Sequence, residues 1–140
     1  MSEESTTSSP IEQTRRAYRY LNSGDFDALT GMFGASSVWD VSRWGLGVHR
    51  GVKGIRTFLD DWFGSLAEYQ VEIEEIRDLG NGVVFVVVEQ TAYRPASRGP
   101  LRVRSAPVFV WTDNAITQVT VYPNFDEGRA AAGRLAESRG

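Results

Sequence analysis

Apolar positions along the chain recur at two spacings, and where one gives way to the other the sequence divides into elements. Ile11, Ala17, Tyr18 and Leu21 fall at helical spacing. Ser9 is placed to cap that helix, Pro10 to open its first turn, and Glu12 stands three residues after the cap, the spacing of a capping box. Asn22, Ser23 and Gly24 end it. Asp25 predicts the cap of a second, short helix that buries Phe26, Leu29, Met32 and Phe33 and stops at Gly34. Ser36 to Ser42 reads as a short strand. Arg43 to Gly51, with Gly45, Gly47, Trp44 and His49, is expected to be a flexible aromatic loop. From Val52 to Ala67 a stripe of Val52, Ile55, Leu59, Trp62 and Leu66, with Phe58 and Phe63 beside it, predicts a third helix packed on something broad.

The spacing then changes to that of strands. Tyr69 to Leu79, Val83 to Tyr93 and Leu101 to Thr112 are β-rich runs, and a fourth, Ile116 to Tyr122, follows the turn at Asp113, Asn114 and Ala115. Short links between successive strands predict antiparallel pairing. Asp126 to Glu137 is a last helix, rich in Ala and Arg and weakly apolar. The order ααβαββββ defines an α+β fold: a strongly bent antiparallel sheet with helices on one face, wrapped as a cone around a space. Such a space suits a small apolar molecule.

Composition narrows the partners. The 140 residues carry 15 basic and 18 acidic side chains, a net charge of −3, so neither nucleic acid nor an anionic membrane is an expected partner. With no cysteine and one histidine, disulfides, thiol nucleophiles, thiolate metal sites and a histidine-rich zinc centre are excluded. The glycines of GLGVHRG are wrongly spaced for a dinucleotide fingerprint, and no phosphate loop, GxSxG elbow or HExxH occurs, so neither a cofactor nor a metal is expected. The polar, acidic start is not a signal peptide, and no run approaches the ~20 apolar residues of a membrane span. These features predict a soluble cytoplasmic protein with a flexible tail over 1–8 and a single domain over 9–140.

Several segments carry a family likeness: YLNSGDFDALTGMF, SVWDVS, GVHRGVKGIRTFLDDWF, and a closing strand ending in VYPN before an acidic, Ala-rich helix. Over roughly Ile11 to Leu135 the chain resembles the SnoaL-like polyketide cyclases of the nuclear-transport-factor-2-like superfamily. The resemblance implies a cone-shaped α+β barrel that usually dimerises through its open sheet face. It also implies a choice among cyclases, isomerases, dehydratases, epoxide hydrolases and non-catalytic binding domains. An ungapped placement on the isomerase branch, anchored at Asn22, Gly24 and Asp25, puts Ala17, Val41 and Phe109 where that branch has a Tyr, an Asp base and a second acid. Steroid isomerisation by that constellation is disfavoured. The same placement turns Trp39 and Val41 inward, then Phe85, Val87, Glu89, Thr91 and Tyr93, then Val103, Ser105, Pro107, Phe109 and Trp111.

Glu89 is therefore the leading candidate. A carboxylate on the inward set would be desolvated, which raises its pKa and suits it to general acid or base work. The alternative is an ion pair across the sheet with Arg102 or Arg104. Asp40 would serve if a bulge in SVWDVS turned it inward. His49, with an ordinary pKa near 6.5, could overhang the mouth of the cone. Tyr18 could present its hydroxyl to the cavity. Trp39, Trp62, Tyr93, Phe109 and Trp111, with Val41, Thr91 and Ser105, would line a site for a flat apolar ligand. The Arg94, Arg98, Arg102 and Arg104 group reads as a solvated face. A homodimer is expected from an outer sheet face bearing Val84, Val86, Val88, Val108 and Val110. The functional expectation is a cofactor-independent isomerase, cyclase or lyase using a pocket carboxylate on an apolar carbonyl or polyketide-like substrate. The alternative is a non-catalytic ligand-binding or dimerisation domain.

Overall fold

In the computed structural model, which describes residues 9–93, 99 and 101–140, helix α1 (Pro10–Ser23) opens with the full capping box. Ser9 Oγ accepts from the Glu12 amide at 3.1 Å, and the Glu12 carboxylate accepts from the Ser9 amide at 3.4 Å. The helix ends at Gly24 in the left-handed conformation, φ 74°. Asp25 caps α2 (Phe26–Thr30), which is shorter than expected: strand β1 (Phe33–Asp40) already includes Phe33 and Gly34. The aromatic loop is ordered into a 3₁₀ turn over Ser42–Trp44 and a short strand, β2 (Val48–Arg50), absent from the sequence reading. Helix α3 (Gly51–Trp62) breaks into a second 3₁₀ turn, Phe63–Ser65. Then come β3 (Ala67–Gly80), β4 (Val83–Tyr93), β5 (Leu101–Thr112), β6 (Ala115–Tyr122) and helix α4 (Phe125–Arg139). The tail over 1–8, with Arg94, Pro95, Arg98 and Pro100, lies outside the described residues.

The six strands form one curled, unclosed sheet in the order β2-β1-β6-β5-β4-β3. Strands β3 to β6 are antiparallel neighbours, as expected. The exception is β1 against β6, which is parallel, with Val38 opposite Gln118 and Trp39 opposite Val119. A parallel pair needs a long crossover, and everything from β2 to β5 supplies one. Two-residue turns set the hairpin registers: Asn81 and Gly82 between β3 and β4, Asp113 and Asn114 between β5 and β6, all with positive φ. At Gly82 only glycine fits, because a Cβ there would overlap the Trp111 carbonyl oxygen. A bulge between Ile73 and Glu75 adds to the bend of β3.

Each face of the sheet has its own core. On the concave side Leu21, Leu29, Ile55 and Leu59 from the helices meet Val84, Val86, Val88 and Ile116. On the convex side α4 lays Ala131, Ala132 and Ala136 over Phe85, Val87, Ala106 and Val108. The approach is close: a Cβ on Gly128 would stand 3.1 Å from Ala106 Cβ and 3.2 Å from Tyr122 Cβ.

Two expectations are corrected here. The helices are not confined to one face, since α4 takes the other. The valines that suggested a dimer surface are internal: Val84, Val86 and Val88 point into the cone, Val108 lies under α4, and Val110 is 3% exposed. The stated basis for a homodimer is thereby removed.

Candidate functional site

Between the helices and the concave face lies a cavity of ≈ 330 Å³. Helices α1 and α3 contribute Tyr18, Leu21, Phe58 and Trp62; the end of β1 and the turn after it contribute Trp39, Val41, Trp44 and Leu46. The sheet supplies Val88, Gln90, Thr91 and Ala92 from β4, Val103, Ser105 and Pro107 from β5, and Val119 and Val121 from β6. Phe63, Leu66, Tyr69 and Leu101 complete the wall. Among the described residues this lining holds no Asp, Glu, Lys, Arg or His.

The phase of β4 decides which side chains enter. Val88 stands opposite Ser105 and Gln90 opposite Val103, and directly paired residues share a face. Since Val103, Ser105 and Pro107 face inward as expected, so do Val88 and Gln90. Glu89, opposite Arg104 and Glu72, is on the convex face. The inward assignment of Phe85, Val87 and Glu89 was one residue out of phase. Glu89 does not line the cavity; its carboxylate stands 3.9 Å from the Arg102 guanidinium, the ion-pair alternative.

Asp40 also points elsewhere. Its Oδ1 accepts from the Ser42 amide at 3.0 Å and the Ser42 hydroxyl at 2.6 Å, with Arg43 at 3.8 Å. Partial burial pushes the carboxyl up, but the Ser42 bonds and the charges of Arg43 and Arg50 outweigh it and hold the group below its ordinary value. It stays an anion engaged in a turn. His49 stacks on Phe58 at 4.3 Å, with Nε2 2.7 Å from the Leu46 carbonyl, and lies behind the lining rather than in it.

Of the other expected residues, Tyr18, Trp39, Val41, Trp62 and Ser105 line the cavity, and Thr91 borders it although its pairing with Arg102 puts it on the outward phase of β4. Tyr93 does not: it is 41% exposed at the end of β4. Phe109 and Trp111 face inward but sit deeper, as core. Phe109 meets the Tyr18 ring edge-on at 5.7 Å, and Trp111 donates its indole N–H to Thr14 Oγ1 at 2.9 Å.

The polar features of the cavity are a set the sequence reading passed over. The Tyr69 hydroxyl donates to Gln90 Oε1 at 2.9 Å, and Gln90 Nε2 donates to Ser105 Oγ at 3.2 Å, a row across β3, β4 and β5. Burial, and the nearness of Tyr69, push the Tyr18 phenol well above its ordinary pKa; burial does the same to Tyr69. Both are neutral at physiological pH, able to exchange hydrogen bonds but not to serve as phenolate bases. The indole N–H groups of Trp39 and Trp44 are buried with no hydrogen-bond partner among the described residues. No cluster of three or more His, Cys, Asp or Glu is placed to hold a metal among those residues. No helix among them is long and apolar enough to cross a membrane.

A curled sheet folded over three helices thus encloses an uncharged aromatic cavity. Residues 14–119 match the model of the SnoaL-like domain, and the chain belongs to that family. Solved structures of the same fold include a protein of ketosteroid isomerase-like fold from Catenulispora acidiphila, crystallised with trimethylamine, at TM-score 0.73 and 15% identity over 87% of this chain and 92% of that one. A candidate SnoaL-like polyketide cyclase from Shewanella putrefaciens aligns at TM-score 0.71 and 12% identity, covering 92% and 98%. A Mycobacterium tuberculosis protein crystallised with estradiol-17beta-hemisuccinate aligns at 0.72 and 15%, covering 85% and 97%. No curated protein matches the chain in sequence.

Proposed function

We propose that this protein holds one flat, neutral, mostly apolar small molecule inside the cone, and that it works as a binding protein rather than by carboxylate acid–base catalysis. The observation that carries this is the uncharged lining: an aromatic cavity of ≈ 330 Å³ with no Asp, Glu, Lys, Arg or His among its described lining residues, its hydroxyl and amide side chains being neutral. That volume lies at the small end of the range for ligand pockets, about 300–1,000 Å³, and suits a bicyclic or tricyclic molecule. Burying an ionised ligand there would leave its charge without a counter-charge, so neutral ligands are favoured. Proton abstraction next to a carbonyl needs a base within hydrogen-bond reach, and both expected carboxylates are turned away from the cavity and engaged elsewhere. Two proteins of the same fold crystallised with organic small molecules support small-molecule binding in this fold.

Titration of the protein with 1-tetralone and tetralin, followed by amide NMR, tests the reading. Saturable binding of one molecule per chain is expected, with shifts centred on β4 and β5. In deuterated buffer the C2 protons of bound 1-tetralone should exchange no faster than in buffer alone. Two results overturn the reading. One is the absence of saturable binding. The other is accelerated exchange: its loss in Glu89→Gln or Asp40→Asn would restore a carboxylate, and its survival would assign catalysis to the neutral donors.

A further inference from the structure

The turn between β3 and β4 joins two residues that can react with each other, and the structure requires both. Asn81 and Gly82 hold positive φ, 57° and 82°, and a Cβ at Gly82 would overlap the Trp111 carbonyl oxygen, so the second position admits only glycine. The first is fixed by what it holds. Asn81 Nδ2 donates to the Ala136 carbonyl at 2.6 Å, and so satisfies one of the free carbonyls at the end of α4. Arg139 returns the contact, donating from Nε to the Asn81 carbonyl at 2.8 Å and from Nη2 to Thr112 Oγ1 at 3.2 Å. An ionised aspartate at 81 would suit the turn but set an acceptor against an acceptor, so this clasp needs the amide. Turn and clasp together place an asparagine directly before a glycine, whose backbone nitrogen no side chain shields. Asn81 is exposed, and the Gly82 N–H has no backbone acceptor among the described residues.

We propose that Asn81 is a site of spontaneous deamidation, slowed by the docked end of α4, and that its products loosen that end. The Gly82 nitrogen attacks Asn81 Cγ: the N–Cγ bond forms, the Cγ–Nδ2 bond breaks, and Nδ2 leaves as ammonia with the Gly82 amide proton. Water then opens the resulting succinimide at either carbonyl, giving aspartate or isoaspartate; nothing is oxidised or reduced. Ring closure needs Nδ2 to leave Ala136 and Asn81 to rotate within the turn, both opposed by the clasp. Either product loses the donor to Ala136 and sets a carboxylate against the negative end of a helix. Arg139 stands nearby, but its Nε and Nη2 are already engaged. Isoaspartate also lengthens the backbone of a two-residue turn that fixes Gly80 opposite Val83. The turn lies outside the cavity lining, and this chemistry does not depend on what the cavity holds.

The test incubates the full chain in warm, mildly alkaline buffer and follows the tryptic peptide that begins after Arg77 by mass spectrometry. Products about 1 Da heavier should accumulate there faster than at Asn22, Asn114 and Asn124, which precede Ser23, Ala115 and Phe125, residues that carry a Cβ. The Asn81 rate should rise about fivefold in Arg139→Ala. Should that variant misfold, the parent in urea below its unfolding transition replaces it, and the rate should rise as α4 frays. Hydrogen exchange in the last turn of α4 should quicken about tenfold in Asn81→Asp, and likewise in the deamidated parent separated by ion exchange. Reaction at Asn81 no faster than at the other three asparagines overturns the site. A rate unchanged by freeing α4, or helix protection unchanged by the reaction, overturns its coupling to the helix.

Discussion

Asn22 is the best place to break the wall of the cavity without touching its lining. Strand β3 is an edge of the sheet, and at Val71 its outward backbone groups have no neighbouring strand. The Asn22 amide stands in for one: Nδ2 donates to the Val71 carbonyl at 3.0 Å, and Oδ1 accepts from the Val71 N–H at 2.7 Å. Asn22→Ala removes both bonds, each worth about 1 kcal/mol net. Val71 is 6% exposed, so water reaches the stranded groups poorly and the loss rises to about 2–3 kcal/mol. With an unfolding entropy of about 2.1 cal/mol/K per residue, a 140-residue chain loses about 7–10 °C of Tm. Differential scanning calorimetry measures that shift, and hydrogen exchange at the Val71 amide reports whether the edge has opened. Because Asn22 sits beside Leu21, and Tyr69 is two residues before Val71, 1-tetralone affinity should fall as well. A Tm within about 2 °C of the parent, with the Val71 amide still protected, would refute the assignment of this side chain as the edge's missing partner.

Two other changes test the electrostatics. Glu89→Gln should cost no more than about 1 kcal/mol in denaturant unfolding and leave tetralone binding intact, because the pair with Arg102 is long and its guanidinium side chain is 66% exposed. Glu75 is held below its ordinary pKa by hydrogen bonds from Arg77 and Arg129. A depressed carboxylate stabilises the fold above its unfolded pKa of about 4.3, and that contribution disappears as pH falls through the lower folded value. Melts across that acid range should therefore be flatter for Glu75→Gln than for the parent, and parallel curves would remove Glu75 from the acid response.

How far the sequence reveals this protein depends on whether a pattern had one solution. Caps did: Ser9, Glu12 and Asp25 make their bonds where the spacing placed them. The inward phase of β5 was legible because Arg102 and Arg104 alternate with Val103 and Ser105. Strand β4 had no such contrast. Val83 to Val88 are all buried, alternately against the cavity-side core and against α4, so an unbroken apolar run carries no information about which residue faces which way. The first polar residues after it, Glu89 and Gln90, then exchange roles on a one-residue slip. The pairing with β5 resolves that slip, and it is a long-range fact. The parallel β1–β6 pair is another, and the three residues of β2 are too few to show a period. Helix α4 looked weakly apolar because alanine and glycine, not large side chains, are what a helix needs to lie this close to a sheet.

That last helix changes what the protein can assemble with. Only Pro123 and Asn124 separate it from β6, and its far end is fastened by Arg139, which donates to the Asn81 carbonyl at 2.8 Å and to Thr112 Oγ1 at 3.2 Å. A segment tethered so briefly competes for its own surface at an effective concentration of millimolar order. Any outside chain seeking Phe85, Val87 and Val108 must displace an incumbent that never diffuses away. The convex sheet is thus occupied by an intramolecular ligand, and a partner there would have to displace α4 together with its Arg139 contacts.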